Sequence, residues 1–240
     1  GYILTLEGST LIGGILTYLY TKRIIKKRIP SIASAIYFSF TPIFYLYFVG
    51  LGTYAFGVSS LIFVPLIFLI YEWIHEKDVV RISHLVILSS LLAVSILMHT
   101  NVFLALCYTL FFLESFRLLI FRDSWSINMI VFLLMSAALA TLFSLFWIMP
   151  AVIMQHFMHP SDFMSRWWEH VQPQYYPETI GVLPLSLALF SIIYPKNDKN
   201  KIPFLLTFFV ISFWTFGLHF PVTWPIFRNL PLAYTLAPKR

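Results

Sequence analysis

Long apolar runs recur along the whole chain, and short polar or turn-forming segments separate them. An α-helix rises 1.5 Å per residue, so a run of about 20 apolar residues is long enough to cross the hydrocarbon core of a membrane. One apolar stretch is far longer than that, and "MHTN" at 98–101 is the natural place for it to turn. The pattern predicts eight membrane spans, at 2–20, 31–49, 55–74, 83–98, 102–120, 127–149, 179–194 and 202–218.

The composition supports a membrane protein. Hydrophobic residues make up 59% of the chain and charged residues 11%, with a mean hydropathy of +0.82. Soluble domains carry about 25% charged residues. We therefore predict an all-α, polytopic transmembrane bundle in which residues 1–240 form a single membrane domain. The chain begins at Gly1 and has no closing element after "LAPKR", so we expect it to be a partial chain.

The distribution of Lys and Arg predicts how the spans are oriented. If eight spans alternate, twelve of the sixteen basic residues fall on one side and four on the other. Basic residues concentrate in cytoplasmic loops, so the first side is the cytoplasm and the N-terminus of a multi-pass cell-membrane protein lies outside. The net charge of +6 is then a product of topology, and no nucleic acid is predicted as a partner. Five of the seven histidines fall on the outer side, where we expect the polar chemistry.

The large extracytoplasmic loop, residues 150–178, contains a segment with helical periodicity. Apolar residues recur there at i, i+1, i+4, i+5 and i+8, and Ser161 and Asp162 suit the start of a helix. The apolar positions are Phe163, Met164, Trp167, Trp168 and Val171. The simplest interpretation is a short amphipathic helix that lies in the membrane interface.

The same loop also has two features of a binding site. His156, His159 and Asp162 offer two imidazoles and a carboxylate to a transition metal, although Pro160 interrupts the helix that would align the two histidines. This metal site is the weaker alternative, and a divalent metal ion is the only cofactor that the pattern suggests.

The stronger alternative is a site for an anionic ligand that carries a ring, such as a phosphate-linked sugar. Arg166, Trp168 and His170 are its candidate residues. A guanidinium group suits phosphate, and an aromatic face suits the apolar face of a sugar.

Each polar residue within the apolar stretches has two interpretations. His99, beside Thr100 and Asn101, either belongs to a turn or faces an outer cavity. Glu114 and Arg117 have i, i+3 spacing and either pair or snorkel towards the cytoplasm. A carboxylate within the membrane also raises a functional hypothesis.

Three stretches resemble the multipass membrane glycosyltransferases of the GT-C class, particularly archaeal and bacterial members. They are "TPIFYLYFVGLGTYAFGVSSLIFVPLIFLIYEWI" (41–74), "SLLAVSILMHTNVFLALCYTLFF" (90–112) and "NLPLAYTLAPKR" (229–240). The resemblance implies transfer of a sugar from a polyprenyl-phosphate carrier on the extracytoplasmic face. The candidate residues for binding that substrate are His99, Arg166, Trp168, His170 and Arg228.

In that class an acidic residue of the first outer loop usually acts as the base or as a metal ligand. The outer turn at 49–57 has no carboxylate. The catalytic residue is therefore expected upstream of Gly1, or the resemblance is one of architecture. The alternative function is a non-enzymatic accessory subunit whose outer loop contacts partner membrane subunits; a transporter ranks third, because the spans hold few ionisable residues.

Overall fold

The computed structural model describes residues 2–40, 54–122, 124–154 and 201–215. Every regular element in these ranges is a helix. The α-helices are α1 (Tyr2–Ile25), α2 (Arg28–Ser39), α3 (Tyr54–Val58), α4 (Val64–His75), α5 (Ile82–Met98), α6 (Thr100–Phe121), α7 (Ser124–Phe143), α8 (Leu145–Met154) and α9 (Lys201–Thr215), and a π-helical turn, Ser59–Phe63, joins α3 to α4.

The prediction of an all-helical chain is confirmed for the described residues. Two helical segments are long and apolar enough to cross a membrane, Val102–Phe121 and Trp125–Phe143. Shorter apolar helices occupy Ser59–His75, Ile82–Met98 and Lys201–Ile211. The count of eight spans stays a prediction, and the proposed span at 179–194 lies outside the described residues.

The predicted span at 127–149 is not one continuous helix. The structure divides it at Ser144, between α7 and α8. The Ser144 N–H donates to the carbonyls of both Ala140 and Thr141, at 3.1 Å each, and its hydroxyl donates to the carbonyl of Ala93 at 3.4 Å. An N–H shared between two carbonyls in this way is common at the end of a helix, and the hydroxyl bond joins the end of α7 to α5.

The chain forms two compact units. The first comprises Gly1–Cys107 with Asn128–Trp147, and the second comprises Tyr108–Ile127 with Ile148–Arg240. In the first unit, α1 packs against α2, α4 and the π-helical turn, and α4 packs against α5. The fully buried side chains of this unit include Leu61, Ile67, Tyr71, Ile74 and Leu88.

α1 and α2 form an antiparallel pair because the chain reverses at Lys26. This residue has a left-handed φ of 56°, and its N–H closes α1 by donating to the carbonyl of Lys22 at 2.9 Å. Lys27 is extended, and Pro30 lies in the first turn of α2, where a helix tolerates proline. At the other end of the pair, the Ser39 hydroxyl donates to the carbonyl of Thr10 at 3.3 Å.

The packing of α1 on the π-helical turn depends on Gly13. A Cβ at Gly13 would lie 2.4 Å from the carbonyl oxygen of Leu61, which is backbone and cannot rotate away. In a regular α-helix the residue at position 65 would donate its N–H to the carbonyl of Leu61, but Pro65 has no N–H. The helix is π-helical over Ser59–Phe63, just before Pro65. Glycine therefore lets α1 approach an irregular stretch of backbone closely.

Replacement of Gly13 by alanine is expected to lower the free energy of unfolding by about 1–3 kcal/mol, because the new methyl group overpacks the contact with Leu61. Gly14→Ala should cost less, since its Cβ would meet only the Ser39 hydroxyl, a side chain that can rotate. Gly8→Ala is the control: nothing lies within 4 Å of its Cβ, and alanine favours a helix by about 0.5–1 kcal/mol. Unfolding in increasing sodium dodecyl sulfate, followed by circular dichroism, measures the order, and equal effects at Gly8 and Gly13 would contradict the packing argument.

Candidate functional site

Only one of the substrate-binding residues expected from the sequence lies among the described residues. It is His99. Those outside are Arg166, Trp168, His170 and Arg228, together with the candidate metal ligands His156, His159 and Asp162. Among the described residues, no three His, Cys, Asp or Glu side chains are placed to hold a metal ion.

His99 occupies the break between α5 and α6, at the place where the sequence predicted a break. Its backbone is extended, with φ −165° and ψ 106°. Its N–H donates to the carbonyl of Ser95 at 2.8 Å, and its carbonyl accepts from the N–H of Val102 at 3.0 Å. Two helices therefore meet through one non-helical residue, whose backbone polar groups bond to both.

The imidazole of His99 is half-buried, and this burial lowers its pKa below the usual 6.5. The side chain is therefore neutral at physiological pH. A neutral imidazole both donates and accepts hydrogen bonds, and it can take up a proton in a reaction.

A groove of about 680 Å³ runs between α1 and α2 in the first unit. Its walls are apolar and consist mainly of Leu11, Ile15 and Tyr18 from α1 with Ile32, Ile36 and Phe40 from α2. Several of these side chains are also exposed, as expected for a surface that faces lipid. Gly14 and Ser39 also line the groove, and the absence of a side chain at position 14 leaves room for the Ser39 hydroxyl.

Glu7 lies at the end of the groove that is formed by the start of α1 and the end of α2. Thr10 and Ser39 line the same part of the groove. The sequence places Glu7 within one or two turns of the outer end of the first span, where it would face a cavity or snorkel outward, but does not mark it as a substrate-binding residue. The signal was present, because positions 7, 10, 11, 14 and 18 fall on one face of a helix. The second wall of the groove could not be predicted, because nothing in the sequence pattern indicates which face of α1 packs against α2.

The second unit holds a buried ion pair. Arg117 Nη1 lies 2.5 Å from Glu114 Oε1, and the two residues are 8% and 0% exposed. The guanidinium carbon of Arg117 lies 5.1 Å from the centroid of the Phe204 ring of α9, within cation–π range. Of the two sequence interpretations, pairing is the one that the structure has, and the cation also joins α6 to α9.

The buried pair leads to a stability prediction. Arg117→Met removes the cation that faces a fully buried carboxylate, and we expect it to lower the free energy of unfolding by about 3–5 kcal/mol. The double variant Glu114→Leu/Arg117→Met should recover most of that loss, because it also removes the buried charge. Arg122→Met is the matched control, since Arg122 is exposed just after α6. A double variant that is no more stable than Arg117→Met would contradict a direct pairing.

The environment of His99 predicts a pH dependence of stability. Because burial lowers its folded-state pKa, the unfolded chain takes up this proton first as the pH falls below about 6.5. The contribution of His99 to the free energy of unfolding is therefore full above that pH. It declines on acidification, until the folded imidazole also becomes protonated. His99→Gln should flatten the decline of the melting temperature between about pH 7.5 and pH 5. An unchanged slope in His99→Gln would rule out this contribution.

Comparison with known proteins defines the family. The whole chain, residues 1–240, matches the family described as "6-pyruvoyl-tetrahydropterin synthase related domain; membrane protein". No curated protein and no solved structure matches the chain. The family description agrees with the apolar helices and does not mention sugar transfer. The chain is an integral membrane protein and belongs to the 6-pyruvoyl-tetrahydropterin synthase related family of membrane proteins.

Proposed function

We propose that this protein is a glycosyltransferase of the GT-C type, which transfers a sugar from a polyprenyl-phosphate carrier on the extracytoplasmic face of the membrane. The observation that carries the proposal is the groove between α1 and α2, which has a carboxylate, Glu7, at one end. An apolar groove open to lipid suits an isoprenoid chain, and a carboxylate near its end suits a general base.

The dimensions of the groove support a lipid chain. Its lining extends from Leu6 to Tyr18 along α1, a distance of about 18 Å at the rise of an α-helix. That is more than half of the hydrocarbon thickness, about 30 Å. The groove is therefore long enough for several isoprene units, while the polar groups of Glu7, Thr10 and Ser39 lie together at one end.

The predicted orientation places that end on the outer side. The five cations of residues 22–28 lie at the opposite end of α1 from Glu7, and basic residues favour the cytoplasmic side. On this orientation the carboxylate is on the extracytoplasmic side, where the resemblance expects transfer to take place. Glu7 then takes the role for which the sequence analysis expected a residue upstream of Gly1.

The proposed reaction is a displacement at the anomeric carbon. Glu7 accepts the proton of an acceptor hydroxyl, and the hydroxyl oxygen forms a bond to the sugar C1. The bond from C1 to the phosphate oxygen breaks, and polyprenyl phosphate leaves with the electron pair. The protein's part is general-base catalysis and positioning of the two substrates.

In this proposal the candidate residues predicted from the sequence bind the substrate. Arg166 and Arg228 offer guanidinium groups to the phosphate, and Trp168 offers an aromatic face to the sugar ring. His99 and His170 supply further hydrogen-bonding groups. These assignments come from residue chemistry, since all of these residues except His99 lie outside the described ranges.

The test measures the release of lipid phosphate from farnesyl-phosphate-linked mannose and glucose by the purified chain in lipid nanodiscs. We expect Glu7→Gln to lower kcat by about 100-fold or more, because general-base catalysis contributes about 10²–10⁴-fold. Arg166→Ala should instead weaken binding of the intact lipid-linked sugar. Asp78→Asn is the control for the loss of a carboxylate, since Asp78 has a left-handed φ of 50° that asparagine also adopts.

A Glu7→Gln variant that is folded and as active as the wild type would exclude Glu7 as the base. An inactive wild-type chain that co-purifies with other membrane proteins in fixed stoichiometry would favour the accessory-subunit alternative.

A further inference from the structure

The junction between α1 and α2 concentrates positive charge. Five of its seven residues are basic, namely Lys22, Arg23, Lys26, Lys27 and Arg28, and we call this segment, 22–28, the basic turn. The left-handed backbone of Lys26 reverses the chain there, so that the charges of both helix ends gather at one end of the pair. All of these residues except Arg23 are exposed.

A hollow of about 570 Å³ lies beside the basic turn. It is lined by Leu19, Lys22, Arg23, Lys26 and Glu76. Arg23 Nη2 lies 2.5 Å from Glu76 Oε2, which fixes the end of α4 against α1 and forms one wall of the hollow. The lining therefore keeps an excess of positive charge even after this ion pair is taken into account.

The neighbouring segment does not neutralise the basic turn. Residues 76–81 contain two carboxylates, Glu76 and Asp78, and two cations, Lys77 and Arg81, which cancel. Lys22 lies with its Nζ 5.4 Å from the centroid of the Tyr18 ring, a contact that leaves its charge in place. The basic turn thus presents an uncompensated field for an anion.

Exposed apolar side chains interrupt these cations. Ile29 is 81% exposed, and Leu19 and Ile25 are 44% and 42% exposed. In a membrane these apolar side chains contact acyl chains, so the cations among them lie at the level of the lipid headgroups. A phospholipid covers them with its acyl chains while its headgroup meets the cations, since cations mixed with apolar side chains suit the boundary between headgroups and acyl chains.

We propose that the basic turn and its hollow bind the headgroup of an anionic phospholipid, with its phosphate at Lys22 and Lys26 and its acyl chains against Leu19, Ile25 and Ile29. The site is independent of the proposed transferase activity, because it uses neither Glu7 nor the outer loop. The predicted topology puts it on the cytoplasmic side, where anionic lipids supply the negative surface potential.

Native mass spectrometry of the full chain in a neutral detergent, titrated with phosphatidylglycerol or phosphatidylcholine, tests the site. The wild type should prefer phosphatidylglycerol. The variant Lys22→Gln/Lys26→Gln/Lys27→Gln retains the Arg23–Glu76 pair and should lose that preference at least about tenfold, because one cation near an anionic lipid surface contributes about fivefold. The charge-matched control Arg122→Gln/Lys196→Gln/Lys199→Gln should keep it.

Two further variants separate the contributions of charge and apolar contact. The variant Lys22→Arg/Lys26→Arg/Lys27→Arg keeps the cations and should therefore keep the preference for phosphatidylglycerol. This measurement tests the role of charge independently of whether the glutamine variant folds. Ile25→Ser/Ile29→Ser should weaken binding of both lipids while the preference for the anionic one remains.

The proposal is wrong if the glutamine variant binds phosphatidylglycerol like the wild type, or if the control variant loses as much, since net charge alone would then explain the preference. A wild type without a preference overturns it as well. Displacement of the lipid by millimolar inorganic phosphate would identify a site for soluble anions instead.

Discussion

The close approach of α1 to the backbone around Leu61 is the constraint on which the first unit depends. Gly13 leaves room for a carbonyl oxygen that a methyl group would meet at 2.4 Å, and the π-helical turn with Pro65 directs that part of the backbone towards α1. The ion pair of Arg23 with Glu76 holds the same two segments together nearer the end of α1. With α1 fixed in this way, its other face is available to α2, and the groove forms between them. In lipid, where helices gain little from hydrophobic contact, such close backbone packing is a main source of stability.

Charge and backbone geometry act together at the ends of the helices. α1 and α6 both end at a basic residue in the left-handed region, Lys26 with φ 56° and Arg122 with φ 53°. In each case the N–H of that residue bonds to the carbonyl four residues earlier, at 2.9 Å. A cation at the C-terminus of a helix also interacts favourably with the helix dipole. The residues that determine the predicted orientation of the chain in the membrane are therefore also residues that terminate its helices.

The sequence predicted helix type and several boundaries well, because apolar length and helix breakers are local properties. The break at His99 and the pairing of Glu114 with Arg117 could be anticipated from neighbouring residues. The contact of Ser144 with Ala93 and the groove beside Glu7 could not, because each joins residues that are distant in the chain. The position of Glu7 at the end of a groove likewise depends on a neighbouring helix. The outer-loop candidates, such as Arg166, stay predictions.

The glycines that let α1 pack closely also affect how the protein is made. α1 contains Gly8, Gly13 and Gly14 together with Glu7 and several hydroxyl residues, so it partitions into lipid less readily than α6 or α7. Its partners at the close contact, residues 59–75, emerge from the ribosome later. α1 therefore gains the stability of this close contact only when those partners reach the membrane. The close packing of α1 is therefore complete only after α4 has been synthesised.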